Sequence, residues 1–471
     1  MRRSLDGWGL LLLGSAWLQS ATAVGGVLAL AGWLVGGAAA GMGVASLLLP
    51  GDRRIVSFAA LAFVAGLVLA LLLLPFYGVS LSLRLTALAA AGALLAGWMS
   101  LKRTPPSNDG GGWAPTVPLI AKVALDEAML GSFHLRIRFP RGELLERVIE
   151  ETALLRARHE ALGFLADPLA YHRKPLPLQT PRVERRRHLG VDYEHLVFDS
   201  EWEPAEGEPG RVRWLEQGAN RTGHAYVVRG DPMAPWLVAI SGYRMGLPLT
   251  DLTAFDPREY HRRLGLNLLI PVLPLHGPRR AGRRSGDGFL DADPIAFTQG
   301  EAQAIWDIRR LIGWVREQGG RRVGVLGLSL GGYNAALLAC VEPGLSCVVA
   351  GVPATDFSRI FSRHAPLAVQ RACEAGGLDL AGWREVLRPV SPLAMEPQVP
   401  WAGRAVFAGL ADRVVMPDQP RDLISHWGAP RHAWYAGGHL SYRGDRGAHA
   451  LVREVLVERL GARRERSRQG D

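Results

Sequence analysis

Three residues of this 471-residue chain have the types and the settings for covalent acyl chemistry. Ser329 lies in Gly327-Leu328-Ser329-Leu330-Gly331-Gly332, between the apolar run 323–328 and the helical pattern Tyr333-Asn334-Ala335-Ala336-Leu337-Leu338-Ala339. Strand, sharp turn and helix together expose a serine hydroxyl at the top of a sheet, and only small neighbours fit beside it. The helix opening at Leu330 aims unpaired N–H groups toward that hydroxyl. A serine hydroxyl is a poor nucleophile until a base takes its proton, and the base needs a carboxylate to fix its tautomer. Asp412, in Ala408-Gly409-Leu410-Ala411-Asp412-Arg413-Val414-Val415, follows one predicted strand. His439, in Gly437-Gly438-His439, follows the last one. Gly-x-Ser-x-Gly alone arises by chance in a chain with 56 glycines; the flanking strand and helix and the two downstream partners make it specific.

The chain order Ser, Asp, His together with these three motifs resembles the α/β-hydrolase superfamily, in its esterase, lipase and acyl-peptidase branch. The resemblance spans residues 193–460. It implies a mostly parallel sheet with helices on both faces, a Ser329–His439–Asp412 triad, and an oxyanion hole from the N–H groups of Tyr243 and Leu330. It implies no metal and no cofactor. Where many members have His-Gly after the third strand, this chain has Ser241-Gly242. Residues 104–192 match nothing in the family core.

Each assignment has a rival. Asp356 stands one strand earlier and is the other candidate acid. His426, His432 and His449 lie in helical or strand contexts, and His276 shapes a turn. Arg279, Arg280, Arg283 and Arg284 read as a solvated loop, with capture of an anionic substrate group as the alternative. No Gly-Lys-Ser/Thr follows Leu330-Gly331-Gly332, so no phosphate loop is expected. Cys340, Cys347 and Cys373 lack Cys-x-x-Cys or Cys/His ligand spacing and read as buried free thiols.

The elements that must position these groups read as α/β from residue 193 onward. Strands are expected at 193–198, 223–228, 236–240, 266–275, 323–328, 346–350, 404–410 and 433–435, with an amphipathic helix at 302–315 and a closing helix at 448–460. Strands alternating with helices imply a mostly parallel sheet. The hydrolase domain is bounded at 193–462, with residues 354–400 as an inserted cap and 463–471 as a polar tail. Residues 119–192 form a helical extension, in which 141–162 has a helical period and the Pro- and Arg-rich 166–189 reads as a loop. Residues 104–118, with Pro105-Pro106 and three successive glycines, read as a flexible linker.

Residues 1–103 read as an all-α transmembrane module. No charge occurs from residue 7 to residue 50, enough for two spans; apolar runs at 55–76 and 85–101 add two more. Arg2-Arg3, Arg53-Arg54 and Lys102-Arg103 stand against Arg84 alone, which places both ends of the module and the hydrolase domain on the cytoplasmic side. A second reading makes residues 1–23 a cleaved signal peptide, with Asp6 and the uninterrupted apolar continuation against it. Net charge is +10, but residues 104–471 carry a near-balanced 47 basic and 42 acidic residues, which argues against a nucleic-acid partner. The expected partners are a small-molecule or lipid ester and, through residues 1–103, the bilayer. The alternatives are a non-catalytic scaffold on a membrane anchor, or an acyltransferase using the same triad.

Overall fold

The computed structural model of the chain describes residues 6–49, 51–105 and 114–463. The middle of the expected linker, nearly all of the expected tail and Arg2-Arg3 lie outside the described residues. The chain divides into two compact units. One comprises Met1–Arg136 with Gly409–Pro417 and Trp434–Asp445; the other comprises Ile137–Ala408, Asp418–Ala433 and Arg446–Asp471.

The first unit is built on five helices: α1 (Asp6–Ala21), α2 (Gly26–Leu48), α3 (Arg54–Tyr77), α4 (Val79–Arg103) and α5 (Val117–His134). The break between the first two falls within the polar and glycine-containing stretch 22–25. Among the described residues three helical stretches, Gly26–Leu48, Arg54–Phe76 and Val79–Arg103, are long and apolar enough to cross a membrane. α1 has 16 residues, about 24 Å at 1.5 Å per residue, short of a ~30 Å hydrocarbon core. Small residues let these helices approach closely. A Cβ on Gly92 of α4 would collide with the ring of fully buried Phe63 on α3. One on Gly97 would strike the Ile120 carbonyl oxygen of α5, and one on Gly131 of α5 the Ser57 carbonyl oxygen of α3. Glu127 of α5 is buried between α3 and α4, accepting from Ser57 Oγ at 2.5 Å and Ser100 Oγ at 2.6 Å.

The second unit opens with α6 (Glu143–Ala161), whose buried Leu145, Val148 and Leu155 recur at helical spacing. Its sheet strands are β1 (Arg182–His188), β2 (Val191–Asp199), β3 (Thr222–Val228), β4 (Trp236–Ile240), β5 (Asn267–Pro271), β6 (Val323–Leu328), β7 (Cys347–Gly351), β8 (Arg404–Gly409) and β9 (Arg431–Tyr435). The order is β1-β2-β3-β5-β4-β6-β7-β8-β9. β1, β2, β3 and β5 pair antiparallel in succession, whereas β5, β4, β6, β7 and β8 pair parallel. β4 to β7 are buried at every position, as continuous apolar runs covered on both faces must be. Mixed sheet, flanking helices and a strand–serine–helix elbow on a central strand make this an α/β-hydrolase fold.

Between strands lie α7 (Arg211–Leu215), α8 (Pro248–Ala254), α9 (Pro294–Glu317) and α10 (Leu330–Val341). α9 starts earlier than its apolar period indicates, because the Asp293 carboxylate caps it, accepting from the N–H groups of Ile295 and Ala296. Residues 354–400 hold α11 (Phe357–His364), α12 (Leu367–Ala375) and α13 (Leu380–Val386), with a short 3-10 turn at Arg388–Val390. α14 (Asp418–His426) joins β8 to β9, and α15 (Arg446–Val455) follows.

Two expectations need correction. The supposed loop 166–189 contains β1, an edge strand paired with β2 through a two-residue turn in which Leu189 (φ 49°) and Gly190 (φ 75°) both take positive φ. Its Arg-rich sequence hid it: an edge strand has one partner and is kept charged against further pairing. Arg279 is neither solvated nor free for an anion. It is fully buried, paired with Asp307 at 2.8 Å and donating to the carbonyls of Val272 and Asn220. Arg280, Arg283 and Arg284 are exposed.

Candidate active site

Ser329 follows β6 and precedes α10, with φ 60° and ψ −115°. A non-glycine residue held there costs roughly 1–3 kcal/mol and persists only where its surroundings enforce it. Here they do. The Ser329 N–H donates to Gly351 O at 2.9 Å, fixing the turn to β7. A Cβ on Gly327 would collide with the Gly331 carbonyl oxygen, and one on Gly331 with the Ile240 carbonyl oxygen. The two glycines are therefore required by a tight crossing of backbone, which leaves Ser329 half-buried at the mouth of the turn.

The turn after β4 lies beside this elbow, because Ile240 is in register with Gly327. A Cβ built on Gly242 would stand 3.5 Å from Ser329 Cβ. That brings the backbone leading into Tyr243 close to the serine. Leu330, the first residue of α10, has one of the N–H groups that a helix leaves without an internal partner. The Tyr243 ring packs edge-on against buried His276, with centroids 5.8 Å apart. His276 is a turn residue: its Nδ1 lies 2.8 Å from Pro274 O, and burial pushes its pKa down to about 4.

In the helical unit, Asp412 and His439 meet. His439 Nδ1 is 2.6 Å from Asp412 Oδ2, with both side chains buried. The other carboxylate oxygen, Oδ1, accepts the N–H groups of Val414 and Val415, each at 2.9 Å. The carboxylate is thus pinned by its own loop, and the Nδ1 proton points at it, which leaves Nε2 unprotonated as a base. Burial works against the imidazolium, but the charge of Asp412, its hydrogen bond and the charge of Asp126 outweigh it and raise the His439 pKa.

Asp126 is a site residue that the sequence reading missed. It sits on α5, 1 % exposed, and its Oδ2 accepts the His439 N–H at 2.6 Å and the Arg413 N–H at 3.1 Å. Burial, then the neighbouring Asp412 charge, push its pKa up to about 7 against His439 and the two backbone donors. Adjacent carboxylates, Asp126-Glu127, in an otherwise apolar helical stretch were the available signal.

The rival groups are otherwise engaged. Asp356 caps α11 through the Arg359 N–H and pairs with Arg359 and Arg384, both at 3.1 Å. His426 and His432 contact the carbonyls of Met395 and Pro430, and His449 is exposed. No group of His, Cys, Asp and Glu suited to a metal ion occurs among the described residues.

No protein-family model matches the chain. Among solved structures it is similar to an acetyl xylan esterase from Paenibacillus sp. R4 (15% identity, 68% of this chain and 96% of that one, TM-score 0.43). It is also similar to acetyl xylan esterase 1 from Thermoanaerobacterium sp. JW/SL YS485 (17% identity, 62% and 98%, TM-score 0.41). Two proteins of Mycobacterium tuberculosis match it more extensively: uncharacterized protein MT2702 of strain CDC 1551 and uncharacterized protein Rv2627c of strain H37Rv. Each is 37% identical over 346 residues, 73% of this chain and 83% of the relative. At that identity and coverage, the chain belongs to the family of these two mycobacterial proteins, and its sheet has the α/β-hydrolase fold.

Proposed function

We propose that this protein is a membrane-anchored serine hydrolase that cleaves a carboxylic ester through an acyl-enzyme on Ser329. The strained backbone of Ser329 is the observation that carries the reading: φ 60° at a serine, between Gly327 and Gly331 where no side chain fits, sets its hydroxyl at the mouth of a strand–helix turn. The buried Asp412–His439 pair supplies the base that such a serine needs. His439 Nε2 takes the Ser329 proton as Oγ attacks the carbonyl carbon, and Asp412 holds the tautomer and stabilises the imidazolium. The N–H groups of Tyr243 and Leu330 donate to the oxyanion; losing one such donor typically costs ~3 kcal/mol. His439 then protonates the leaving alcohol, and water, activated by the same base, releases the acid.

Anchoring is through the apolar helices. Val27, Leu12 and Leu71 are 86%, 68% and 66% exposed, an apolar surface suited to hydrocarbon rather than water. Arg53-Arg54 and Lys102-Arg103 support a cytoplasmic hydrolase domain. A lipid or thioester acyl group fits this setting. The test is fluorophosphonate labelling of the full chain in membranes, with an ester and thioester panel of graded acyl length. Labelling and turnover in the wild type, both lost in Ser329→Ala, are expected; normal turnover in Ser329→Ala removes the reading.

A further inference from the structure

We propose that Asp126 is a positioning residue of this hydrolase: from helix α5 it sets the two loops that carry the acid and the base, and its charge supports the imidazolium of His439. The inference rests on the triad reading above for its catalytic consequence. One carboxylate oxygen, Asp126 Oδ2, takes the backbone N–H of His439 and that of Arg413, the residue after Asp412. Two loops 27 residues apart in sequence are thereby referred to one atom. Their mutual spacing decides whether His439 Nδ1 and Asp412 Oδ2 stay in hydrogen-bonding range.

Gly438 shows how close this approach is. A Cβ there would collide with the Asp126 carboxylate. Gly438 is thus a matched surface for a carboxylate from another element, whereas a Cβ on Gly437 would meet Ser441. The same face of α5 makes further contacts to these loops: Lys122 Nζ reaches Ala436 O at 3.3 Å, and Val123 packs with Ala411. One turn on from Val123, Glu127 is held between Ser57 of α3 and Ser100 of α4. Arg413 also donates to Thr104 O at 2.8 Å, where α4 ends. The apolar helices, α5 and the acid–base loops therefore form one packed body, and the helices do more than tether.

The charged and titratable groups around His439 are Asp412 and Asp126; Arg413 and Tyr435 face those two carboxylates, and Glu127 faces Arg413. Asp126 acts on His439 in two ways, by geometry through the backbone and by charge. Two variants of the full chain separate them. Asp126→Asn keeps an acceptor oxygen and removes the charge. Asp126→Ala removes both.

The experiment measures kcat and KM against pH in the full chain, and the His439 ring titration by NMR in the Ser329→Ala background. In Asp126→Asn, the acidic limb and the His439 titration should both move to lower pH, with a loss of only a few-fold in kcat. In Asp126→Ala, kcat should fall about 10²-fold, as displacement of a reacting group by ~1 Å does, with KM nearly unchanged. If Asp126→Asn leaves the His439 titration where it was, the proposal is overturned, whatever Asp126→Ala does to folding. Should the wild type show no Ser329-dependent turnover, the hydrolase reading fails instead, and the NMR titration still decides whether Asp126 governs His439.

Discussion

His439 and Asp412 lie 2.6 Å apart, and the carboxylate is held from behind by the N–H groups of Val414 and Val415. Asp412 cannot swing away without breaking two backbone bonds. In the proposed mechanism Asp412 therefore serves orientation as well as charge. Asp412→Asn preserves the shape and reverses the hydrogen-bond logic, because an amide NH₂ turned toward Nδ1 selects the wrong tautomer. Steady-state kinetics should show kcat reduced by roughly 10⁴-fold. Asp356→Asn should retain most activity, since that carboxylate caps α11 and pairs with Arg359 and Arg384. A mild Asp412→Asn beside a severe Asp356→Asn would move the acid one strand earlier.

The pH profile follows from the same pair. In the proposed mechanism catalysis needs neutral His439, and its folded pKa is raised above the ordinary value of 6.5, with Asp412 and Asp126 outweighing burial. Activity should then rise with pH along an acidic limb centred above that value. A kcat/KM profile whose limb lies below 6 contradicts the assignment of His439 as the base.

Much of this was legible in the sequence, and the gaps have physical causes. Ser329, Asp412 and His439 stand out because strand ends, glycines and chain order mark them locally. β4, β6 and β7 were readable because their apolar runs are buried on both faces. β1 was not, since an edge strand of Arg and Glu has no hydrophobic alternation. For Asp126 the adjacent carboxylates signal a buried charge but not its partners, which are backbone N–H groups more than 280 positions away, and a backbone donor leaves no residue type to recognise. Nothing in the sequence gives the reason for Gly438, which is the carboxylate that closes on it.

That reason gives a prediction. Gly438→Ala places a methyl group against the Asp126 carboxylate and must displace either α5 or the His439 loop. Turnover should fall at least about tenfold, with lowered thermal stability of the order of 1–3 kcal/mol, as for overpacking elsewhere. Gly444→Ala, in the same loop region but with open space around its Cβ, should be nearly neutral. Equal effects of the two substitutions would show that the loop tolerates neither for reasons unconnected with Asp126.

Topology is tested by reporters active only outside the cytoplasm. Arg53-Arg54 and Lys102-Arg103 flank α3 and α4 on one side, and Arg84 stands near the start of α4. A fusion after Arg103 should be silent and one after Tyr77 active. The opposite pattern would put the hydrolase domain outside.

Glu301 on α9 is fully buried, with the Asn334 side chain as its polar neighbour. Burial raises its pKa well above the carboxylate value of 4.5, with Asn334 opposing only in part. The folded state therefore keeps its proton at pH values where the unfolded chain has released it. Stability from this group is full below the unfolded pKa and falls as pH rises from there toward the folded pKa, by about 1.4 kcal/mol per pH unit. Gln matches the neutral carboxyl in shape and does not ionise in either state. Glu301→Gln should thus be close to neutral near pH 4 and increasingly stabilising toward pH 8, read as the difference in denaturation midpoint between the two proteins. A difference that stays constant across that range would show that Glu301 ionises in the folded protein as readily as in the unfolded chain.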